Sequence, residues 1–236
     1  KQGTSCDDIK NAVMNHGAVA TYMYASNMSS YYESSNYAYY YPAANSQDSD
    51  HAVAIVGWDD SYPASNFKLG TTPPGNGAFI VRNSWGTGWG QAGYFYASYY
   101  DKHIGVDAWC FSGAEPNTDY DAVYQYDPLG CVNLWGFTGV STIWFANVFT
   151  ATQTDSVTAA GFYTWYADLP YEVWAGPTLA TMTKRGSGVL ADAGYHTVDL
   201  TTALAVTNSQ SFAVAVKLTG DAAGDYLTPA EYPWAG

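Results

Sequence analysis

Polar and apolar positions alternate along most of this chain with the period of strands, and one segment near its start carries the period of a helix. That segment, residues 7–16 (Asp-Asp-Ile-Lys-Asn-Ala-Val-Met-Asn-His), places Ile9, Val13 and Met14 on one stripe. Asp7 or Asp8 can cap its start and Gly17 can stop it. Residues 18–25 then alternate as a strand, and His51–Trp58 is so nearly apolar throughout that it reads as a strand covered on both faces. Ala78–Arg82 is a third strand, and a glycine-rich turn over 83–93 leads into a fourth, Tyr94–Tyr99. The stretches between them read as loops: Ser, Asn and Tyr dominate 26–50, and Pro63, Pro73 and Pro74 punctuate 59–77.

The pattern changes after about residue 112. Ser112 to Thr118 has linker composition, and from Tyr120 short strands recur between clusters of Gly, Pro, Asp and Asn. They are expected near 122–126, 142–150, 157–165, 171–175, 194–200 and 211–218. Strands at this spacing, with no helical period between them, predict an antiparallel β-sandwich. The chain therefore reads as mainly β, with an α+β first part over 1–112 and a sandwich over 113–236.

Composition supports this reading. Tyr numbers 22 and Trp 9, while charged residues make up only 12%, a mix that suits pleated sheets better than helices. The net charge of −13 leaves no basic run to neutralise phosphates, which argues against a nucleic-acid partner and against docking on anionic lipid. No stretch is long and apolar enough for a membrane-spanning helix. A start at Lys1-Gln2-Gly3 fits a processed or truncated chain. The three cysteines, Cys6, Cys110 and Cys131, are odd in number, so at least one stays unbridged within the chain; in an oxidising compartment Cys110 and Cys131 could pair.

Two segments carry the chemistry. Asp50-His51-Ala52-Val53-Ala54-Ile55-Val56-Gly57-Trp58 is one; the other runs from Ala78 through Asn83-Ser84-Trp85-Gly86-Thr87-Gly88-Trp89-Gly90 to Gly93-Tyr94-Phe95. Together they resemble the histidine and asparagine blocks of the papain-like cysteine peptidases, and the resemblance covers roughly residues 5–100. In such a site an imidazolium lowers the pKa of a thiol, which attacks a peptide carbonyl as thiolate. The histidine then protonates the leaving amine. The resemblance implies that His51 is the acid–base residue and Asn83 its orienter, with Trp85 covering their contact and Asp50 at the groove's edge. Antiparallel pairing of the two strands would set His51 beside Asn83, at about 2.7–3.2 Å. His16, His103 and His196 have no comparable surroundings and read as structural.

The same resemblance requires a Gln and a Cys-Gly-x-Cys-Trp element heading a long helix, and neither is present. No nucleophile is therefore expected in this chain, and the helical half that carries it should lie upstream or on another chain. A self-association partner could cover the same exposed face. The second part is similar to the lectin-like domain of some microbial surface peptidases. Trp135, Trp144, Trp165, Trp174 and Trp234 could stack on pyranose rings of a cell-surface glycan, or could simply be core. Calcium could bind among Asp119, Asp121, Asp127, Asp221 and Asp225, and no other cofactor is expected. The reading is an extracellular or cell-surface cysteine peptidase, inactive as this chain alone. The alternative is a non-catalytic structural or adhesive surface protein on the same scaffold.

Overall fold

The computed structural model describes residues 5–114, 116, 118–126, 130–131, 133–137, 139–220 and 226–230. The chain divides into two compact units, Lys1–Asp119 and Tyr120–Gly236.

The first unit opens with helix α1, Cys6–His16. Its cap is Ser5 rather than either aspartate: the Ser5 hydroxyl accepts from the Asp8 amide, and the Asp8 carboxylate accepts from the Ser5 amide. This reciprocal box satisfies two amides that the helix cannot, at about 1 kcal/mol for such a cap. At the other end Gly17, at φ 88°, donates to the Val13 carbonyl. The strands that follow are β1 (Val19–Met23), β2 (Tyr32–Glu33), β3 (Ala38–Tyr39), β4 (His51–Asp59), β5 (Ala78–Arg82), β6 (Tyr94–Ser98) and β7 (Ala108–Cys110). They form one sheet in the order β2-β3-β6-β5-β4-β1-β7, antiparallel throughout except for β3 with β6. Its core holds Ile9 from α1 against Val19, Met23, Val53, Ile55, Phe79, Val81 and Phe95, with the tyrosines Tyr39 and Tyr41 beside them. Cys110 ends the edge strand β7 with its thiol free.

The buried turn after β6 hangs on one carboxylate. Asp101, 6% exposed, accepts hydrogen bonds from the backbone amides of Tyr41, His103 and Ile104. Burial pushes its carboxyl above the usual range, while the three amides pull the other way.

The second unit contains β8 (Asn133–Phe137), β9 (Thr142–Thr150), β10 (Asp155–Thr164), β11 (Leu169–Gly176), β12 (Thr183–Leu190), β13 (Gly194–Val206), β14 (Ser211–Thr219) and β15 (Tyr226–Ala230). All its pairings are antiparallel: β12-β11-β14-β9 make one sheet, and β10 with β13 and β15 with β8 make two ribbons. Ile143, Val173, Val216 and Leu218 from the sheet meet Ala160, Phe162 and Val198 from the β10–β13 ribbon in one core. A second core gathers Leu204, Val206 and Phe212. The strand expected over 122–126 is irregular chain instead; there Tyr124 and Tyr126 pack on Phe149.

Candidate active site

β4 and β5 are the two halves of the site. Their register pairs Ala54 with Arg82 and Ile55 with Val81, then slips by one residue at Val56 before Gly57 pairs with Ile80. His51 therefore opens β4 just beyond the paired region, on the same side of the sheet as Asn83, the residue that follows β5. His51 is also tied to the neighbouring strand, opposite Met23 of β1.

Asn83 is 2% exposed and its backbone amide donates to the Gly93 carbonyl. Its Oδ1 lies 2.9 Å from His51 Nε2 and accepts from the Ser84 amide at 2.7 Å. The second contact fixes the first. A backbone N–H can only donate, so the atom facing it must be the amide oxygen, and His51 Nε2 must carry the hydrogen it gives to that oxygen. In the neutral ring the lone pair is then on Nδ1. The Asn83 Nδ2 is buried without a partner among the described residues.

The turn over 83–93 holds Asn83 in place and depends on its glycines. Gly93 sits at φ 90°, where a Cβ would fall 2.0 Å from Arg82 Nη1 and 3.0 Å from the Gly86 carbonyl oxygen. Gly90, at φ 60°, would put one 2.5 Å from the Tyr94 carbonyl oxygen. Within the turn Trp85 stacks on the His51 ring, centroids 5.0 Å apart, and stays 44% exposed. Trp89 braces it edge-on at 5.0 Å and is itself wedged between Tyr32 and the buried Phe95.

Asp50 acts on the backbone rather than on the imidazole. Its carboxylate accepts from the amides of Ala25 and Ser26, at 2.5 and 3.0 Å, and closes the turn after β1. Partial desolvation would raise its pKa, but hydrogen bonds from Ser26, Ala25 and its own backbone amide hold the carboxyl below its ordinary range. Beside His51 a shallow groove of about 260 Å³ is lined by Tyr22, Ser49, Asp50 and Ala52. Tyr22, Ser49 and the bracing Trp89 escaped the sequence reading. Trp89 had a visible signal, the Gly-Trp-Gly of the turn; Tyr22 reaches the groove only through the β1–β4 pairing.

None of the three cysteines lines this groove. His103 stacks on Tyr41 and bonds the Gln47 carbonyl, and His196 bonds Thr164 and the Asp192 carbonyl, both far from the groove in sequence and in role. Among the described residues no three His, Cys, Asp or Glu side chains converge as a metal set. Asp127, Asp221, Asp225 and Trp234 lie outside the described residues, as does the side chain of Trp135.

Residues 1–113 match the family model described as papain family cysteine protease, and residues 123–236 match that of a lectin like domain. A cysteine protease of Blomia tropicalis is 34% identical over 105 residues, which is 44% of this chain and 27% of that protein. A cathepsin L-like peptidase of Aedes aegypti is 36% identical over 99 residues, 42% of this chain and 26% of its own. Among solved structures, the clostridial cysteine protease Cwp84 after propeptide cleavage superposes with a TM-score of 0.78 at 26% identity, covering 98% of this chain and 57% of that one. A structure of the cysteine protease and lectin-like domains of Cwp84, a surface layer associated protein of Clostridium difficile, gives 0.77 at 25% identity, covering 98% and 51%. The chain thus spans about a quarter of those curated relatives and little more than half of those solved structures.

Proposed function

We propose that this chain, the β-rich half of a papain-like cysteine peptidase followed by a lectin-like domain, supplies the acid–base half of a peptide-hydrolysing site. One observation carries the reading: His51 is held through Nε2 by an amide oxygen whose own orientation is locked by Ser84, at the rim of an open groove. A structural histidine needs no such tautomer control. A histidine that must take a proton from a thiol and return it to a leaving amine does.

The nucleophile comes from a cysteine-bearing helical half, encoded upstream or on a separate chain. That half covers the face beside the groove, where Tyr22, Trp85 and Trp109 are each more than 40% exposed. Location at a cell surface or outside the cell is supported by the surface-layer association of Cwp84 and by the low charge content and acidic balance of this chain.

The test joins this chain to the cysteine-bearing half and follows cleavage of a fluorogenic peptide. The joined protein should turn over and the 236-residue chain alone should not. His51→Ala should lower kcat/KM by about 10²–10⁴-fold, the range of a lost general acid–base group. Turnover by the chain alone that alkylating Cys6, Cys110 or Cys131 abolishes would show the nucleophile to be in this chain. Unchanged activity in His51→Ala would remove the peptidase reading of the site and favour the non-catalytic one.

A further inference from the structure

In the second unit two tryptophans stand at the surface of one sheet. Across β9, β14 and β11, Trp144 is in register with Lys217 and Lys217 with Glu172; two residues along, Ala146, Ala215 and Trp174 are in register. Alternate side chains share a face, so Trp144, Lys217, Glu172 and Trp174 project together. Ile143, Val173, Val216 and Leu218 fill the core from the opposite face. Trp144 is 49% exposed, and its ring lies 5.6 Å from that of Trp174 at a tilt of 59°. The Trp174 indole N–H donates to Glu172 Oε2 at 2.9 Å, and Lys217 Nζ rests 3.5 Å from Glu172 Oε1 and over the Trp144 ring.

β12 extends this face through a bulge. Gly186 pairs with Val173 and Lys184 with Trp174, so Arg185 is left out of the ladder. Its guanidinium turns to the carbonyls of Ala175, Thr202 and Ala203. An extra residue reverses the alternation beyond it, so Lys184 and Ser187, three apart, stand on the tryptophan side together. Lys184 Nζ is 4.0 Å from Glu172 Oε1, and its side chain remains half exposed. A trough of about 330 Å³ adjoins the cluster at Glu172 and Lys184, with Pro170, Ser187, Val189 and Thr219 also in its walls and neither tryptophan among them.

Residues 120–236 contain three cations, Lys184, Arg185 and Lys217, in a chain of net charge −13. Two of the three converge here on a single carboxylate, which leaves one positive charge uncompensated within the cluster. Stability does not require that arrangement, because exposed ion pairs contribute about 0–1 kcal/mol. The arrangement does match one ligand chemistry. Indole faces take the C–H face of a pyranose ring. Fixed carboxylate and hydroxyl groups beside them bond its hydroxyls. A lysine with spare donors pairs with an anionic substituent.

We propose that the outer face of the β12-β11-β14-β9 sheet binds an acidic saccharide, with a sugar ring on Trp144 and Trp174 and a ring carboxylate at Lys184. The site does not depend on the peptidase reading, since none of its residues belongs to the His51 groove. The full chain is titrated, by tryptophan fluorescence and calorimetry, with hyaluronan tetrasaccharide, tetragalacturonate and sialyllactose, and with chitotetraose, cellotetraose and lactose as neutral counterparts. At least one acidic member should bind about tenfold more tightly than its neutral counterpart. Trp144→Ala should weaken that binding by about tenfold or more. Lys184→Ala should remove the preference for the acidic member while sparing the neutral one. Trp165→Ala, which changes a tryptophan that is 56% exposed outside this cluster, should change neither. Circular dichroism identifies any variant that fails to fold, in which case Trp144→Tyr, which keeps a ring there, takes its place and should bind at an intermediate level. No acidic member binding, equal affinity for both classes, or full binding by Trp144→Ala would overturn the proposal.

Discussion

At the scale of single residues the site is a matter of which atom faces which. Asn83 offers one oxygen to two donors, and its burial makes both hard to replace with water. Asn83→Ala leaves the Ser84 amide and the His51 Nε2–H without that acceptor, which should cost about 1–3 kcal/mol of stability. It should also free the ring: nitrogen-15 NMR of neutral His51 should report the Nε2–H tautomer in the parent chain and a mixture in the variant. A single Nε2–H tautomer surviving in Asn83→Ala would mean that Asn83 does not orient His51. Asp50 lends itself to a pH experiment. Its folded pKa is depressed, so the stability it contributes is complete above the unfolded value of about 3.9 and is lost as pH falls through the folded value. Asp50→Asn should lower the melting temperature near neutral pH, and the gap from the parent should narrow progressively as pH falls below about 4. A gap independent of pH would show that charge has no part in closing the turn.

At the scale of elements, the turn over 83–93 is the part most exposed to a small change. Gly93→Ala adds a methyl at a positive φ, against Arg82 and the Gly86 carbonyl. It should destabilise the chain by about 1–3 kcal/mol, read as a shift in the denaturation midpoint. It should also weaken the stacking of Trp85 on His51, read in the near-ultraviolet circular dichroism. Where an element has its own pattern, the sequence reading came close to it. Ala78–Arg82 is β5 residue for residue; the helix, β4 and β9 are as near. The strands left unread owe their state to a neighbour. Thr183–Leu190 contains Lys-Arg-Gly-Ser-Gly, which reads as loop, yet it is a strand because β11 pairs with it along its length. Ala108–Cys110 is extended through β1, and its three residues carry no period of their own. In the same way His51 and Asn83 were legible from their motif, whereas the groove wall at Tyr22 was not, since only the β1–β4 register brings it there.

At the scale of the whole molecule, each unit has its own apolar core: Ile55, Phe79, Val81 and Phe95 in the first, Val173, Phe162, Val216 and Leu218 in the second. A unit with a self-contained core can fold by itself, and the chain joining two such units is where a protease finds extended, accessible backbone. Phe111 is 82% exposed, and the described residues from there to Asp121 contain neither helix nor strand. Chymotrypsin at low ratio should therefore cut first after Phe111 or Tyr120, before reaching the buried Phe79, Phe95, Phe162 or Phe212. Mass spectrometry should show two lasting fragments that divide near that point, each keeping its strand signal in circular dichroism. The second fragment should also retain any saccharide binding of the full chain, because all residues of that face lie beyond Tyr120. Cleavage that begins inside either core, or a fragment that unfolds when the link is cut, would show that the units depend on each other for their stability.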